Sequence, residues 1–387
     1  MKIGILKEIA AGEKRVALIP AMIKSMAAHA TDILVEKNAG LSAGFEDQTY
    51  IDAGAQILDA AGPVFDQADV ILKVQPLQIG AAGESGDELA MMREGSTVIG
   101  FLSPFAHLDV IEAMAAKKIT AFSMDLVPRI TRAQSMDALS AMATVAGYKA
   151  VLLAANHLGK FFPLLMTAAG TIPPANVLVL GAGVAGLQAI ATAKRLGAKV
   201  EAFDPRPVVK EQVESLGAQF VPMPLPEDAE TAGGYAKQQS DDFLRQEQQV
   251  IGERLPKTDI VITTAQIFGK PAPLLLTEEY VRGMRPGSVI VDMATEQGGN
   301  CALTRLGEVV EAHGVTIVGT LNLPSLLAAH ASQMYAKTIT TLFNHLYQSA
   351  TFDFEDDITA GTCVLCNGQI KHPIVQDAIN AKGNTND

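Results

Sequence analysis

Cysteine is scarce. The chain carries three, Cys301, Cys363 and Cys366, in 387 residues. That is too few for a disulfide scaffold and fits a reducing cytoplasm. Cys363-x-x-Cys366 has the spacing of half a metal knuckle but no second pair, and Asn367-Gly368 after it points to a hairpin turn between two strands. Positive charge is also short. Thirty Lys and Arg against 42 Asp and Glu leave a net charge of −12, which argues against a nucleic-acid partner and matches anionic lipid poorly. There is no low-complexity run, and Met1-Lys2-Ile3-Gly4-Ile5-Leu6-Lys7 reads as a charged strand rather than a secretion leader. The long uncharged stretch Phe161–Ala193 is broken by Pro163, Pro173, Pro174 and glycines. A spanning helix needs about 20 unbroken apolar residues, so the stretch reads as buried α/β core and no direct membrane insertion is expected. No Ser/His/Asp or metal-ligand spacing is present, and the histidines show none.

What the chain does have is apolar residue, 48% of the total, and one informative turn. Val177–Leu180 reads as a buried parallel strand. Gly181-x-Gly183-x-x-Gly186 follows at once, and Leu187–Leu196 reads as a helix. The first glycine permits the tight turn, the second lets backbone approach a pyrophosphate, and the third lets helix pack on strand. The pyrophosphate then lies at a helix N-terminus, where free N–H groups and the dipole favour negative charge. A second strand, Lys199–Phe203, ends at Asp204, placed to meet an adenosine ribose 2′-hydroxyl. An acid there repels a 2′-phosphate, so NAD is favoured over NADP, although Arg206 lies two residues on.

Strands alternate with helices along the rest, which implies α/β architecture: two Rossmann-like doubly wound parallel-sheet domains joined by long helices. The expected strands of the first are Ile3–Leu6, Ile33–Glu36, Asp69–Val74, Thr97–Phe101 and Thr120–Met124, with helices leading from Arg15–Pro20 to His29, over Tyr50–Ala61 and over Asp109–Lys117. A long apolar helix over Ala138–Gly159 links to the Gly181 domain, with strands near 177–180, 199–203, 219–222, 259–264, 288–292 and 315–319. A second long helix, Pro324–Ser349, returns the chain, and the segment from Phe352 completes the first domain. The expected division is 1–137 plus 330–387, and 138–329.

Two further stretches carry chemistry. Pro222–Gln239 is a polar loop with Gly233-Gly234 and Tyr235, long enough to read as a lid over the nucleotide. Val127–Ser140 gathers cations, an amide, a carboxylate and a hydroxyl after the last strand of the first domain; Ser135 or Asp137 can also cap the helix that follows. An alcohol or amine dehydrogenase needs a general acid/base, for which Lys73, ending a strand toward a cleft, and His107 are the candidates.

On these residues the chain resembles the NAD(H)-binding component of proton-translocating nicotinamide nucleotide transhydrogenase. The telling motifs are Pro128-Arg129-Ile130-x-Arg132-Ala133-Gln134-Ser135-Met136-Asp137, Thr167-Ala168-Ala169-Gly170, the Gly181 turn, Gly233-Gly234-Tyr235-Ala236-Lys237 and Gly269-Lys270-Pro271-Ala272-Pro273. The resemblance implies that Gly181, Gly183, Val184, Asp204, Pro205, Arg206 and Gly234 hold adenosine and pyrophosphate, with Tyr235 closing the lid. It implies that Arg129, Ile130, Gln134, Asp137 and Ser140 bind and orient the nicotinamide half, Gln134 reaching toward the incoming NADP(H), and that Gln266 also lies at the cofactor. Gln266 and Gln239 depart from the apolar residue and the methionine frequent at those places. The resemblance further implies NAD(H) on this chain, NADP(H) on a partner beta subunit, a membrane-spanning subunit, a homodimer, and a cytoplasmic chain docked on the inner membrane through its partners. Hydride transfer needs reacting atoms about 3–3.5 Å apart, and one nucleotide fingerprint cannot supply both rings.

Alanine dehydrogenase is similar in fold and opening motif, and Arg15 and Lys73 match its substrate-binding arginine and lysine. Ser103-Pro104 stands where its catalytic histidine belongs, and Glu296 falls in the segment that holds its catalytic aspartate. Amino-acid oxidation by this chain, or a non-enzymatic NAD-binding module, are the alternatives.

Overall fold

The computed structural model describes residues 1–26, 29–80, 86–223, 240–267, 270–349 and 351–384. The chain divides into two compact units, Met1–Met142 with Pro324–Asp387, and Ala143–Leu323.

The first unit opens with six parallel strands: β1 (Lys2–Ile5), β2 (Asp32–Glu36), β3 (Gln56–Leu58), β4 (Val70–Leu72), β5 (Thr97–Gly100) and β6 (Thr120–Ser123). Between them run α1 (Asp47–Ala53), α2 (Ala61–Gln67), α3 (Glu88–Met91) and α4 (Leu108–Ala116). Ile3, Ile5, Leu34, Val35, Ile71, Leu72, Val98 and Ile99 are all buried, as continuous apolar strands covered on both faces must be. Two expectations fail here. Tyr50–Ala61 is not one helix: Gly54, at φ +103°, ends α1, and the next residues pair with β2 as β3. The stretch after Arg15–Pro20 forms only 3-10 turns, Pro20–Met26.

Helix α5 (Ala138–His157) begins in the first unit and continues into the second. Among the described residues it is the helix long and apolar enough to cross a bilayer. Its Ala150, Val151 and Ala154 are fully buried in the second unit's core. Gly147 lies against Ala185, whose carbonyl oxygen an added Cβ would meet at 2.1 Å.

The second unit contains β7 (Leu165–Thr167), β8 (Gly170–Ile172), β9 (Asn176–Leu180), α6 (Val184–Arg195), β10 (Lys199–Phe203), α7 (Lys210–Ser215), β11 (Gln219–Phe220), α8 (Asp241–Gly252), β12 (Ile260–Thr263), α9 (Glu278–Arg282), β13 (Val289–Asp292), β14 (Val309–Ala312) and β15 (Val315–Val318). Its sheet runs β11-β10-β9-β12-β13-β15-β14, parallel except for edge strand β14. β7 and β8 form a separate antiparallel hairpin. That hairpin corrects the reading of Phe161–Ala193 as wholly buried. Phe161, Leu164, Met166 and Ile172 are exposed, Met166 by 78%; among the described residues the two short strands have no third strand beside them to cover their side chains.

The chain closes with α10 (Ala328–Leu346), α11 (Asp357–Thr362), β16 (Cys363–Cys366), β17 (Gln369–Ile370) and α12 (Pro373–Asn384). β16 and β17 are joined through Asn367 and Gly368, both at positive φ, and extend the first sheet to β17-β16-β6-β5-β4-β1-β2-β3. Each doubly wound sheet therefore reverses direction at one place, between β1 and β4 in the first unit and between β9 and β12 in the second. Crevices outside the carboxyl ends of strands at such points are the general ligand sites of this architecture.

Candidate active site

At the second unit's switch point the backbone itself forms the candidate binding surface. Gly181 sits at φ +95°, and an added Cβ would lie 2.5 Å from the Thr264 hydroxyl oxygen. At Gly186 a Cβ would lie 1.9 Å from the Gly181 carbonyl oxygen. Neither position has room for a side chain. Gly183 differs: the nearest atom to its absent Cβ is a terminal guanidinium nitrogen of Arg206 at 3.8 Å, and Gly183 is the N-cap of α6 with no side chain to satisfy the helix's first N–H groups. Val184, the first helical residue, is exposed. An open helix N-terminus behind a turn pared to glycine fits a dinucleotide pyrophosphate.

Polar side chains brace this turn and the strand ends beside it. Thr264 donates from Oγ1 to the Gly181 carbonyl at 3.0 Å. Asn300 donates to the carbonyls of Ala265 and Pro273 at 2.9 and 2.8 Å and accepts from the Ala265 N–H at 3.1 Å. Asp292, at the end of β13, accepts from the Thr263 and Thr304 hydroxyls and from the Ala294, Asn300 and Cys301 N–H groups. Sequence reasoning missed Asp292 and Asn300. The only signal for them was an acid at a predicted strand end. Gln266 is exposed and donates to the Met293 carbonyl at 3.2 Å.

Asp204 is 2% exposed. One carboxylate oxygen accepts from the Arg206 N–H and Nε, at 2.9 and 2.8 Å, and the other from an Arg206 terminal nitrogen and the Ala182 N–H, both at 2.8 Å. The residue thus fastens the glycine turn to the end of β10, with half-buried Pro205 beside it. A second acid went unnoticed in the sequence. Glu247 on α8 is buried, and burial, reinforced by the charge of Asp204, pushes its carboxyl up to about 8. Gly234 and Tyr235 of the expected lid lie outside the described residues, as do Gly233 and Gln239.

In the first unit, Thr131–Met136 is a 3-10 segment leading into α5. Ala133 and Met136 are buried and anchor it, while Arg129, Ile130 and Gln134 are exposed. Arg132 pins it to the closing segment through Asp356 at 2.5 Å, and Asp356 also accepts from the first N–H groups of α11 and pairs with His345 at 2.8 Å. Asp137 binds the Ser140 N–H at 2.8 Å and its hydroxyl at 2.6 Å, so the helix-cap role is present and the two residues are locked together.

Lys73 does not point into a cleft. It is 1% exposed and paired with Glu88 and, at 3.3 Å, with Glu8; both carboxylates raise its pKa against the opposing effect of burial. Arg15 and Glu13 form a second buried pair with bonds of 2.6 and 2.8 Å, and Gln75 adds a bond to Glu13 at 2.7 Å. Burial raises the Glu13 carboxyl, but Arg15 and Gln75 outweigh it and hold it down at about 2. His107 is exposed at the start of α4 and makes no capping bond.

Residues 4–146 match the model of the alanine dehydrogenase/PNT N-terminal domain, and residues 150–373 that of the C-terminal domain. The chain is 48% identical over 380 residues to an NAD(P) transhydrogenase alpha-subunit polypeptide of Rhodospirillum rubrum, covering 96% of this chain and 98% of that one. Among solved structures, the transhydrogenase from Sinorhizobium meliloti superposes with a TM-score of 0.85 at 43% identity, covering 96% of this chain and all of that one. An L-alanine dehydrogenase superposes with a TM-score of 0.82 at 26% identity, over 98% and 99% of the two chains. The chain therefore belongs to the alanine dehydrogenase/PNT family, and within it to the NAD-binding alpha subunits of NAD(P) transhydrogenase.

Proposed function

We propose that this chain binds NADH and delivers its hydride directly to NADP⁺ held by a separate beta subunit, with a membrane-spanning subunit coupling the exchange to proton translocation. The bound nicotinamide supplies the hydride. The chain's own role is to bind and orient. The N–H groups at the start of α6 and the turn Gly181–Val184 receive the pyrophosphate, Asp204, Pro205 and Arg206 receive the adenosine ribose, and Gln266, Gly234 and Tyr235 complete the nucleotide's surroundings. Arg129, Ile130, Gln134, Asp137 and Ser140 orient the nicotinamide, with Gln134 reaching toward the second ring.

The observation that carries this reading is the condition of Lys73. An amino-acid dehydrogenase of the alanine dehydrogenase kind would need this cation, and Arg15, to receive a substrate carboxylate; here Glu8 and Glu88 pair with the one and Glu13 with the other. Transfer between two nicotinamides needs neither cation nor a proton-transfer group. The exposed apolar hairpin β7–β8 supports a homodimer, since patches of this kind mark contact surfaces. The chain would then work on the cytoplasmic side of the inner membrane, held there by its partners.

The test is a two-component assay of the purified chain with a competent NADP(H)-binding subunit, NADH and an NADP⁺ analogue. Turnover that requires both proteins is expected. Absence of turnover, or NADH formation from alanine and NAD⁺ by this chain alone, would reject the reading.

A further inference from the structure

Asp204 and Arg206 stand two residues apart at the end of β10 and are folded onto each other. A carboxylate has about four lone-pair sites. At Asp204 four donors are in place, three from Arg206 and one from the Ala182 N–H. In dinucleotide sites of this architecture an acid at the second strand receives the ribose 2′-hydroxyl, whereas a nearby arginine accommodates a 2′-phosphate. This chain carries both groups, the second held by the first.

We propose that Arg206 is a specificity-determining residue whose affinity for a 2′-phosphate is withheld by Asp204. The proposal rests on the reading of the second unit as an NAD(H) site. A ribose hydroxyl can donate to Asp204 by replacing one Arg206 donor, so the carboxylate keeps its full set of bonds. A 2′-phosphate cannot donate. It has to take the guanidinium from Asp204 and then lie beside the carboxylate it has uncovered. Refusal of NADP(H) thus comes from the pair, not from an acid alone, and the site holds a latent preference for the phosphorylated nucleotide. The arrangement keeps this chain's nucleotide distinct from the one the partner carries.

The experiment is calorimetric titration of the full chain with ADP-ribose and 2′-phospho-ADP-ribose, which differ only in the phosphate. Asp204→Asn keeps an oxygen for the Ala182 N–H while its amide group repels the guanidinium. Wild type is expected to prefer ADP-ribose. Asp204→Asn should gain about 10-fold or more for the phosphorylated ligand, the size of a charge-assisted hydrogen bond. Asp204→Asn/Arg206→Gln should lose that gain, and Arg206→Gln alone should discriminate against the phosphate more sharply than wild type. Equal binding of 2′-phospho-ADP-ribose by Asp204→Asn and the double variant would overturn the inference and leave the NAD(H) reading standing. Failure of wild type to bind ADP-ribose would overturn both. Should Asp204→Asn not fold, Asp204→Ser and Asp204→Ser/Arg206→Gln take its place: a gain for 2′-phospho-ADP-ribose in the first that the second loses supports the proposal, and equal binding by the two overturns it.

Discussion

The two units share one architecture and treat their switch points in opposite ways. In the second, the carboxyl ends of β9 and β12 meet a turn of glycines and open N–H groups, and the largely buried pair Asp204–Arg206 lies at the end of β10. In the first, the ends of β1 and β4 run into Glu8 and Lys73, with Glu88, Glu13 and Arg15 buried around them. At one switch point glycine backbone lies at the strand ends; at the other, buried ion pairs do. A doubly wound sheet supplies the place for a site, and the side chains at the strand ends decide whether the place is used.

The sharpest way to break this contrast is Lys73→Met. It leaves Glu8 and Glu88 buried without their cation, and a loss of about 3–5 kcal/mol in denaturant unfolding is expected. Next in size is Gly186→Ala, whose Cβ would lie inside contact distance of the Gly181 carbonyl. It should cost about 1–3 kcal/mol and abolish NADH binding, while Gly183→Ala, whose added Cβ would meet only an Arg206 guanidinium nitrogen at 3.8 Å, should fold normally.

Glu13 and Glu247 should answer pH with opposite sign. Glu13 is held down at about 2 in the fold against an ordinary 4.5, so its contribution is present above pH 4.5 and lost as pH falls toward 2. Glu247 is held up at about 8. The folded chain then binds a proton there that the unfolded chain has released, so stability falls as pH rises from 4.5 to 8, by at most about 1.4 kcal/mol per pH unit. Glu247→Gln should remove that slope, measured by unfolding at a series of pH values; an unchanged slope would separate Glu247 from it. The smallest stability effect belongs to Gln134→Asn. NADH affinity should stay nearly constant while hydride transfer slows by about 10- to 100-fold, since a 1 Å misplacement of reacting groups has that consequence.

How much of this was legible before the structure differed between the units. β9, β12 and β13 were readable because each is mostly Val, Ile and Leu bounded by turn residues, and β9 led straight into the glycine turn. β3 was hidden because Gln56–Leu58 is three residues long and followed a helical pattern that only the positive φ of Gly54 interrupts. The hairpin β7–β8 was missed because its apolar composition is that of a core, although its side chains face outward. Among the candidate residues, Arg129, Gln134 and Asp137 stood out in the sequence as a dense polar cluster after a strand. Asp292, Asn300 and Glu247 were not, because their importance lies in bonds and burial formed between segments far apart in sequence. Lys73 was misread for the same reason: a cation at a strand end looks available until Glu88, fifteen residues on, folds over it.

Isotope transfer tests the central claim most directly. The chain and its NADP(H)-binding partner would be given NADH deuterated at nicotinamide C4 together with NADP⁺, and the product NADPH analysed by mass spectrometry. Retention of the transferred deuterium, with none exchanged for solvent hydrogen, is the predicted result. Washout of the label into water would contradict direct passage from ring to ring.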